Sequence, residues 1–147
     1  MKILIDGDAC SRITTIEDIA GKKGIPCHIY CDASRIIDSE YSTVHIVDIG
    51  TNSADMAIVK HCSNGDIVIT DDTGLAAMVL TMNAFAMNNS GMEFTNKNIL
   101  QLLSSRHIRQ DIARKTKRKQ VHGSLKPNEK HASFAQTLNE LVKRTAE

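Results

Sequence analysis

The sequence predicts an α/β fold in which a small parallel sheet is flanked by helices, with a basic helical extension at the C-terminal end. Short runs rich in Ile and Val alternate with longer segments whose apolar residues recur every three or four positions, as in amphipathic helices. Aspartates follow two of the apolar runs, and in such folds polar side chains gather beyond the carboxyl ends of the strands. Strands that alternate with helices are joined by right-handed crossovers, so the sheet is expected to be parallel.

The chain opens with a strand, a helix and a second strand. Residues 2–6 form a buried strand around an Ile-Leu-Ile run, and residues 26–31 form the second strand. Between them, residues 12–23 carry isoleucines at helical spacing, with Ser11 as the N-cap and Gly24 as the residue that ends the helix. This order of elements fits a parallel sheet.

The later elements follow the same pattern. Further strands are predicted at residues 44–48, 66–70 and 84–88. Further helices are predicted at residues 54–63, 74–82, 97–105 and 129–145. Their N-caps are predicted to be Asn52 or Ser53, Asp72 or Thr73, and Asn96. The apolar residues expected to be buried on these helices are Met56, Ile58, Val59, Cys62, Leu75, Ala76, Met78, Val79, Ile99, Leu102, Leu103, Phe134, Leu138, Leu141 and Val142.

Length and composition indicate one soluble domain. The chain has 147 residues, of which 41% are hydrophobic, enough for a core of ordinary size. Aromatic residues make up only 3%, which argues against a platform that stacks nucleic-acid bases. No apolar run approaches the roughly 20 residues that cross a membrane, and the first apolar run is too short for a signal peptide. We therefore expect a cytoplasmic protein with no membrane partner.

Charge is divided unevenly along the chain. Residues 1–105 hold 7 Lys and Arg against 13 Asp and Glu, a net charge of −6, and are predicted to form the α/β domain. Residues 106–147 hold 11 against 4, a net charge of +7, and are predicted to be a basic extension that packs on the same domain. Such a split suggests an anionic partner such as RNA or another phosphodiester, although a solvated helix face explains it equally well. The candidate nucleic-acid-binding residues are Arg106, Arg109, Arg114, Lys115, Lys117, Arg118 and Lys119.

Five aspartates are the candidate catalytic residues. Asp6 and Asp8 follow the first strand, Asp71 and Asp72 follow the fourth, and Asp55 opens the helix between them. Each has a purely structural explanation as a helix cap, a first-turn acid or a turn residue. Converging on one edge of the sheet, however, they would repel one another, and a divalent cation with oxygen ligands would hold them together. The pattern therefore predicts a Mg²⁺ or Mn²⁺ site.

The cysteines and histidines suggest no second site. Cys27 and Cys31 lie in a predicted buried strand, where Cys is a common small apolar residue. Cys10 lies beside the acids, but no histidine nearby in sequence could act as its base. The histidines lack the spacings of known metal motifs and are expected to be ordinary core or surface residues. They are His28, His45, His61, His107, His122 and His131.

Several stretches of the chain resemble the YaiI/YqxD family of uncharacterised bacterial proteins. Residues 5–10, Ile-Asp-Gly-Asp-Ala-Cys, resemble the opening motif of that family, with Ser11 in place of its usual proline. Further similar stretches are residues 47–48, 53–59, 65–76 and 93–99. The resemblance implies a PIN-like, Rossmannoid nuclease fold, which often dimerises. It also implies a Mg²⁺ or Mn²⁺ site for hydrolysis of RNA phosphodiester bonds. In that pattern the candidate metal ligands are Asp6, Asp55, Asp71 and Asp72. Our mechanistic hypothesis is that Asp6, Asp55 and Asp71 bind one or two ions directly or through water, and that Asp8 and Asp72 complete the shell or orient the attacking water.

Two alternatives remain open at this stage. The strand-D-x-D motif also resembles a haloacid-dehalogenase-like phosphatase, in which Asp6 is the nucleophile, Asp8 the general acid and base, and Asp71 with Asp72 the Mg²⁺ site. A separate phosphate-binding lysine is not evident for that assignment. The second alternative is a non-catalytic RNA-binding protein that uses the basic segment, with acids that no longer have a catalytic role.

Overall fold

The protein has an α/β fold, as the sequence predicted. The computed structural model describes residues 1–8, 10–50, 52–105 and 133–146. Within them a six-stranded sheet carries helices on both faces. The predicted basic segment lies outside the described residues, and with it the candidate nucleic-acid-binding residues Arg106, Arg109, Arg114, Lys115, Lys117, Arg118 and Lys119.

The strands form one mostly parallel sheet with the order β3-β2-β1-β4-β5-β6. Its strands are β1 (Ile3–Asp6), β2 (Cys27–Asp32), β3 (Thr43–Val47), β4 (Ile67–Ile69), β5 (Phe85–Met87) and β6 (Glu93–Phe94). The described helices are α1 (Ile13–Lys23), α2 (Ser53–His61), α3 (Thr73–Thr81), α4 (99–105) and α5 (Phe134–Thr145). Strand β6, which runs antiparallel to β5, was not predicted, because two residues are too few to show an alternating pattern.

Successive residues of β1 face opposite layers of the core, as a strand requires. Ile3 and Ile5 pack in the layer that contains the buried sides of α1 and α5. Leu4 packs in the other layer, with α2, α3 and Ile99 of α4. Strand β1 is therefore covered on both sides, which is why it is a continuous apolar run.

Helix α5 is an integral part of the first layer. Its buried residues are Phe134, Thr137, Leu138, Leu141 and Val142, in agreement with the apolar stripe that the sequence predicted. The helix begins at Phe134 rather than at residue 129, because Ser133 is extended and forms a capping box with Gln136. Thr137 also donates a hydrogen bond to the carbonyl of Gly91 at 2.6 Å, which joins the helix to the loop before β6.

Two predicted N-caps were wrong. Arg12, not Ser11, precedes α1, and its Nε–H donates to the carbonyl of Asn89 at 3.2 Å. Before α4, Thr95 takes the place predicted for Asn96. The backbone N–H of Thr95 donates to Asn98 Oδ1 at 2.8 Å, and the N–H of Asn98 donates to Thr95 Oγ1 at 3.3 Å. This reciprocal pair closes a turn over residues 96–98, and regular α-helix follows from residue 99, two residues later than the predicted residue 97.

Two methionines that were predicted to be buried are exposed. Met56 of α2 is 71% exposed. It lies two positions after the buried Ala54 and two before the buried Ile58, and two positions correspond to a rotation of about 200° around the helix axis. Met78 of α3 is 46% exposed for the same reason, two positions after the buried Ala76. Apolar composition alone overestimated the buried stripe of both helices.

We expect Leu138→Ala to lower the free energy of unfolding by about 2–5 kcal/mol, because it leaves a cavity where α5 packs on the sheet. Leu138 is fully buried, whereas Leu100 of α4 is 72% exposed. The control Leu100→Ala should change stability by no more than about 0.5 kcal/mol. Urea denaturation of the three proteins measures both effects, and equal losses for the two variants would contradict the packing of α5 described above.

Candidate functional site

The candidate site lies where the direction of the strand order reverses. From β1 the chain passes through α1 to β2 on one side of β1, whereas β4 pairs on its other side. Helix α1, which follows β1, and helix α3, which follows β4, lie on opposite faces of the sheet. In open α/β sheets, a crevice opens at such a point beyond the carboxyl ends of the strands. Asp6 ends β1 at this crevice, and Thr70 with the next two aspartates follows β4.

A buried threonine hydroxyl connects the two strand ends. Thr70 is 1% exposed, and its Oγ1–H donates to Asp6 Oδ2 at 3.1 Å. The same oxygen accepts the backbone N–H of Asp72 at 3.0 Å. Asp72 in turn caps α3, since its Oδ1 accepts the N–H of Leu75 at 3.1 Å. Thr70 thereby fixes the positions of two acids. This role was not predicted, because a threonine after a strand carries no distinctive pattern.

The carboxyl group of Asp55 meets that of Asp72 at this crevice. Asp55 lies in the first turn of α2, where the helix dipole favours an anion. Nevertheless, its pKa is raised to about 6, first by burial and then by the charge of Asp72 and a side-chain hydrogen bond with Asp72. Asp6 and Asp8 also contribute to the shift. Asp55 therefore stays protonated to a higher pH than an ordinary aspartate does.

Asp6 experiences the same crowding. Burial is the main cause that raises its pKa, and the negative charges of Asp8 and Asp72 raise it too. The hydrogen bond from Thr70 and a backbone hydrogen bond from Asp8 oppose this shift. Asp6 thus lies within the electrostatic reach of two of the other predicted acids and is held in place by donors from both strand ends.

Asp8 lies on the exposed rim of the crevice, and Gly7 makes that position possible. The N–H of Gly7 donates to the carbonyl of Tyr30 at 2.8 Å, which keeps the loop close to β2. A Cβ atom at Gly7 would lie 2.8 Å from that same carbonyl oxygen, so a side chain cannot be accommodated there without a backbone shift. Arg35 donates to the backbone carbonyl of Asp8 at 3.1 Å, on the outer side of the loop.

Asp71 is directed to the other side of the crevice. It is exposed, and its Oδ1 accepts the backbone N–H of Asn89, in the turn between β5 and β6, at 2.9 Å. The thiol of Cys10 is on this side: burial is the main cause that raises its pKa, and the charges of Asp71 and Asp6 raise it further. Of the predicted acids, the structure thus groups Asp6, Asp55 and Asp72, leaves Asp8 on the rim and turns Asp71 toward Asn89.

The three grouped acids offer hard oxygen donors of the kind that Mg²⁺ and Mn²⁺ prefer. Within the four described ranges, no three Asp, Glu, His or Cys side chains already stand in a metal-ligating arrangement. The group instead contains a side-chain hydrogen bond between Asp55 and Asp72, in which a protonated Asp55 is the donor. Its donor chemistry fits a divalent cation that would replace this proton.

Comparison with known proteins places the chain in a family. Residues 4–144 match the family model described as the uncharacterised BCR, YaiI/YqxD family. The chain belongs to the YaiI/YqxD family. It is 34% identical over 145 residues to a UPF0178 protein of Clostridium acetobutylicum, which covers 98% of each chain. It is 40% identical over 130 residues to one of Clostridium perfringens, covering 88% of this chain and 83% of that one. No solved structure matches the chain.

The family match covers both sides of the candidate site. It includes β1 with Asp6, α2 with Asp55 and the β4–α3 junction with Thr70 and Asp72. The resemblance seen in the sequence is therefore confirmed as family membership. The described residues contain no helix with the length and hydropathy needed to span a bilayer.

We expect the metal-free protein to lose stability as the pH rises from about 4 to 7, because of Asp55. Its folded pKa is raised from 3.8 to about 6, so the folded state binds more protons than the unfolded state in this interval. After allowance for solvent screening, the ionised group costs on the order of 1 kcal/mol at pH 7.5. Asp55→Asn should therefore be more stable than the unmodified protein at pH 7.5, and this difference should shrink at pH 5.

Chemical denaturation in the presence of EDTA at the two pH values measures this effect. Asp38→Asn removes a carboxyl group from an exposed position and controls for the change in net charge. A stability difference for Asp55→Asn that is the same at both pH values would show that the carboxyl groups do not crowd one another as described.

Proposed function

We propose that the protein is a divalent-metal-dependent nuclease that hydrolyses phosphodiester bonds of RNA. One observation carries this proposal: the carboxyl groups of Asp6, Asp55 and Asp72 crowd together at the switch point of a parallel sheet, with pKa values of Asp6 and Asp55 raised. Such crowding is unfavourable without a cation and becomes favourable with one. It also stands where α/β proteins commonly bind their ligands.

Asp6, Asp55 and Asp72 would hold Mg²⁺ or Mn²⁺, directly or through water. When bound, the cation supplies charge neutralisation at the phosphate and an acidified water. Asp55 must be ionised to bind the cation, so metal affinity should fall as the pH drops below about 6. These assignments follow from the donor atoms and from the raised pKa of Asp55.

The other residues of the crevice position the reacting groups. The Oγ1–H of Thr70 donates to one oxygen of Asp6 and thereby holds this proposed ligand in place. Asp8 lies on the exposed rim, where it is suited to orient the attacking water or to contact the incoming substrate. The net charge of +7 over residues 106–147 supports a polyanionic substrate.

The choice of RNA rests on the resemblance to PIN-like nucleases. That fold has a pattern of acids: one ends the first strand, one opens a central helix, and one or two follow the fourth strand. Asp6, Asp55 and Asp72 match it in position. The PIN-like fold is accordingly part of the proposal.

We expect the unmodified protein to be stabilised by Mn²⁺ and to cleave a mixed single-stranded RNA pool only when Mn²⁺ or Mg²⁺ is present. The double variant Asp6→Asn/Asp72→Asn should lose both responses, because it removes two of the three grouped carboxylates. Thermal unfolding with and without metal, and gel analysis of the RNA, measure the two responses. Asp38→Asn should behave as the unmodified protein. Cleavage that persists in the double variant would overturn the assignment of these acids.

The assay also separates this proposal from its rivals. A covalent phosphate trapped on Asp6 after incubation with a phosphomonoester would favour the phosphatase. RNA binding that is independent of metal and persists in the double variant, without cleavage, would favour the non-catalytic binder.

Asp71→Asn tests the remaining acid. We expect a smaller loss of cleavage than for Asp72→Asn, since Asp71 Oδ1 already accepts the N–H of Asn89.

We expect Thr70→Val to lower metal affinity or cleavage rate by about 10–100-fold, as loss of a group that orients a ligand typically does. Valine has the shape of threonine but cannot donate to Asp6 or accept from the N–H of Asp72. Thr70→Ser retains the hydroxyl and should retain most of the activity. Metal titration and initial cleavage rates compare the two variants, and equal behaviour of the two would show that the hydroxyl does not position the acids.

A further inference from the structure

Three histidines that are far apart in the sequence meet on one face of the sheet, away from the acids. His28 belongs to β2, His45 to the edge strand β3, and His61 is the last residue of α2. His28 Nδ1 lies 2.9 Å from His45 Nε2, and the ring centroids of His45 and His61 are 5.9 Å apart. This cluster is named the imidazole cluster below.

The pair within the imidazole cluster is joined by one N–H···N hydrogen bond. The ring planes of His28 and His45 are inclined by 21° and their centroids lie 5.1 Å apart, so the two rings meet edge to edge. One nitrogen of the pair donates and the other accepts, which requires at least one ring to be neutral. Behind them the ring of Tyr30 stacks on His45 at a centroid distance of 4.7 Å, which holds that imidazole in place.

The third imidazole is oriented by the backbone. His61 Nδ1 lies 2.8 Å from the carbonyl oxygen of Ala57, which can only accept, so Nδ1 carries the proton. The Nε2 atom of a neutral His61 therefore keeps its lone pair. A ring nitrogen that donates to a backbone carbonyl while the other offers a lone pair is the usual arrangement of a metal-binding histidine.

We propose that His28, His45 and His61 form a binding site for a late transition-metal dication such as Zn²⁺, with His28 Nδ1, His45 Nε2 and His61 Nε2 as ligands. Two nitrogens on a tetrahedral Zn²⁺ are about 3.3 Å apart, so the pair must open by about 0.4 Å. Each of the two rings must also turn by roughly 35°, because their nitrogens face each other and not a common point. His61 is exposed, so its ring has room to pivot about the hydrogen bond to Ala57 and bring Nε2 to the metal. Imidazole ligands select this class of metal over Mg²⁺, which prefers oxygen.

The charge state of the imidazole cluster agrees with this assignment. Burial lowers the pKa of His28, and the neighbouring His45, Lys2 and His61 lower it further. Burial and then His61 also lower the pKa of His45. Both rings are therefore neutral at pH 7, which is the form that binds metal. Binding would join β2, β3 and the end of α2 opposite to Asp55, about 9 Å along the helix axis from that acid.

Calorimetric titration of ZnCl₂ into the EDTA-stripped protein at pH 7.5, with excess Mg²⁺ present to occupy the acidic crevice, tests the proposal. We expect one Zn²⁺ to bind per chain. Binding should be at least about tenfold weaker in His45→Phe and in His61→Asn. His45→Phe retains an aromatic ring that can stack on Tyr30 but removes both ring nitrogens. Thermal unfolding in EDTA shows whether each variant is folded, and Zn²⁺ should raise the melting temperature of the unmodified protein alone. NMR of the histidine nitrogens should show that Zn²⁺ perturbs His61 Nε2 while Nδ1 keeps its proton.

Two control variants make the outcome decisive. The triple variant His107→Asn/His122→Asn/His131→Asn removes the chain's other three histidines, and Asp38→Asn removes an exposed carboxyl group that belongs to neither proposed site. Both should bind Zn²⁺ as the unmodified protein does. Absence of Zn²⁺ binding to the unmodified protein, unchanged affinity in His45→Phe, or loss of binding in either control would overturn the site. These results are independent of cleavage, so the proposed nuclease can fail while the imidazole cluster binds metal, and the reverse.

Discussion

The parallel pairing of β1 with β4 is the constraint on which the rest of the structure depends. The register Ile5↔Ile69 brings the next residues, Asp6 and Thr70, within one hydrogen bond of each other. At the opposite edge of the same two strands, Lys2 and the buried Asp66 form an ion pair of 2.6 Å. At the amino ends of these strands an acid is thus paired with a base, whereas at their carboxyl ends several acids lie close to one another. The same pairing also sends α1 and α3 to opposite faces and opens the crevice between them.

The crowded carboxyl groups show which local effect prevails. The first turn of a helix favours an anion by less than about 1 kcal/mol at a typical surface position, and this should stabilise the charge of Asp55. Burial and the neighbouring Asp72 outweigh it, since the pKa of Asp55 rises to about 6. A purely structural role of these acids would be served by one cap, which Asp72 already provides for α3. The pKa values of Asp6 and Asp55 are raised, so their ionised forms cost stability in the absence of a counter-ion, as the proposed metal site predicts.

The sequence was sufficient for features that depend on local pattern, and insufficient for those that depend on register. Ile-rich runs, Gly24 and Asp72 gave the elements and two of their ends correctly. Neither the side to which Asp71 turns nor the bridging position of Thr70 could be predicted, because both depend on which residues of β5 and β1 lie beside β4. The imidazole cluster was missed for the same reason: its members come from three elements, and their separations in sequence match no metal motif.

The position of α5 has a consequence for how the chain matures during synthesis. The layer that it completes also contains Ile3 and Ile5 of the first strand to leave the ribosome, together with Ile67 and Ile69 of its neighbour. Among the described residues, α1 alone covers this side of the central strands until residues 134–142 emerge, and the apolar surface left open is the kind that chaperones recognise. The fold is therefore completed late, when α5 packs on the sheet. A translation pause before residue 134 would prolong this exposed state.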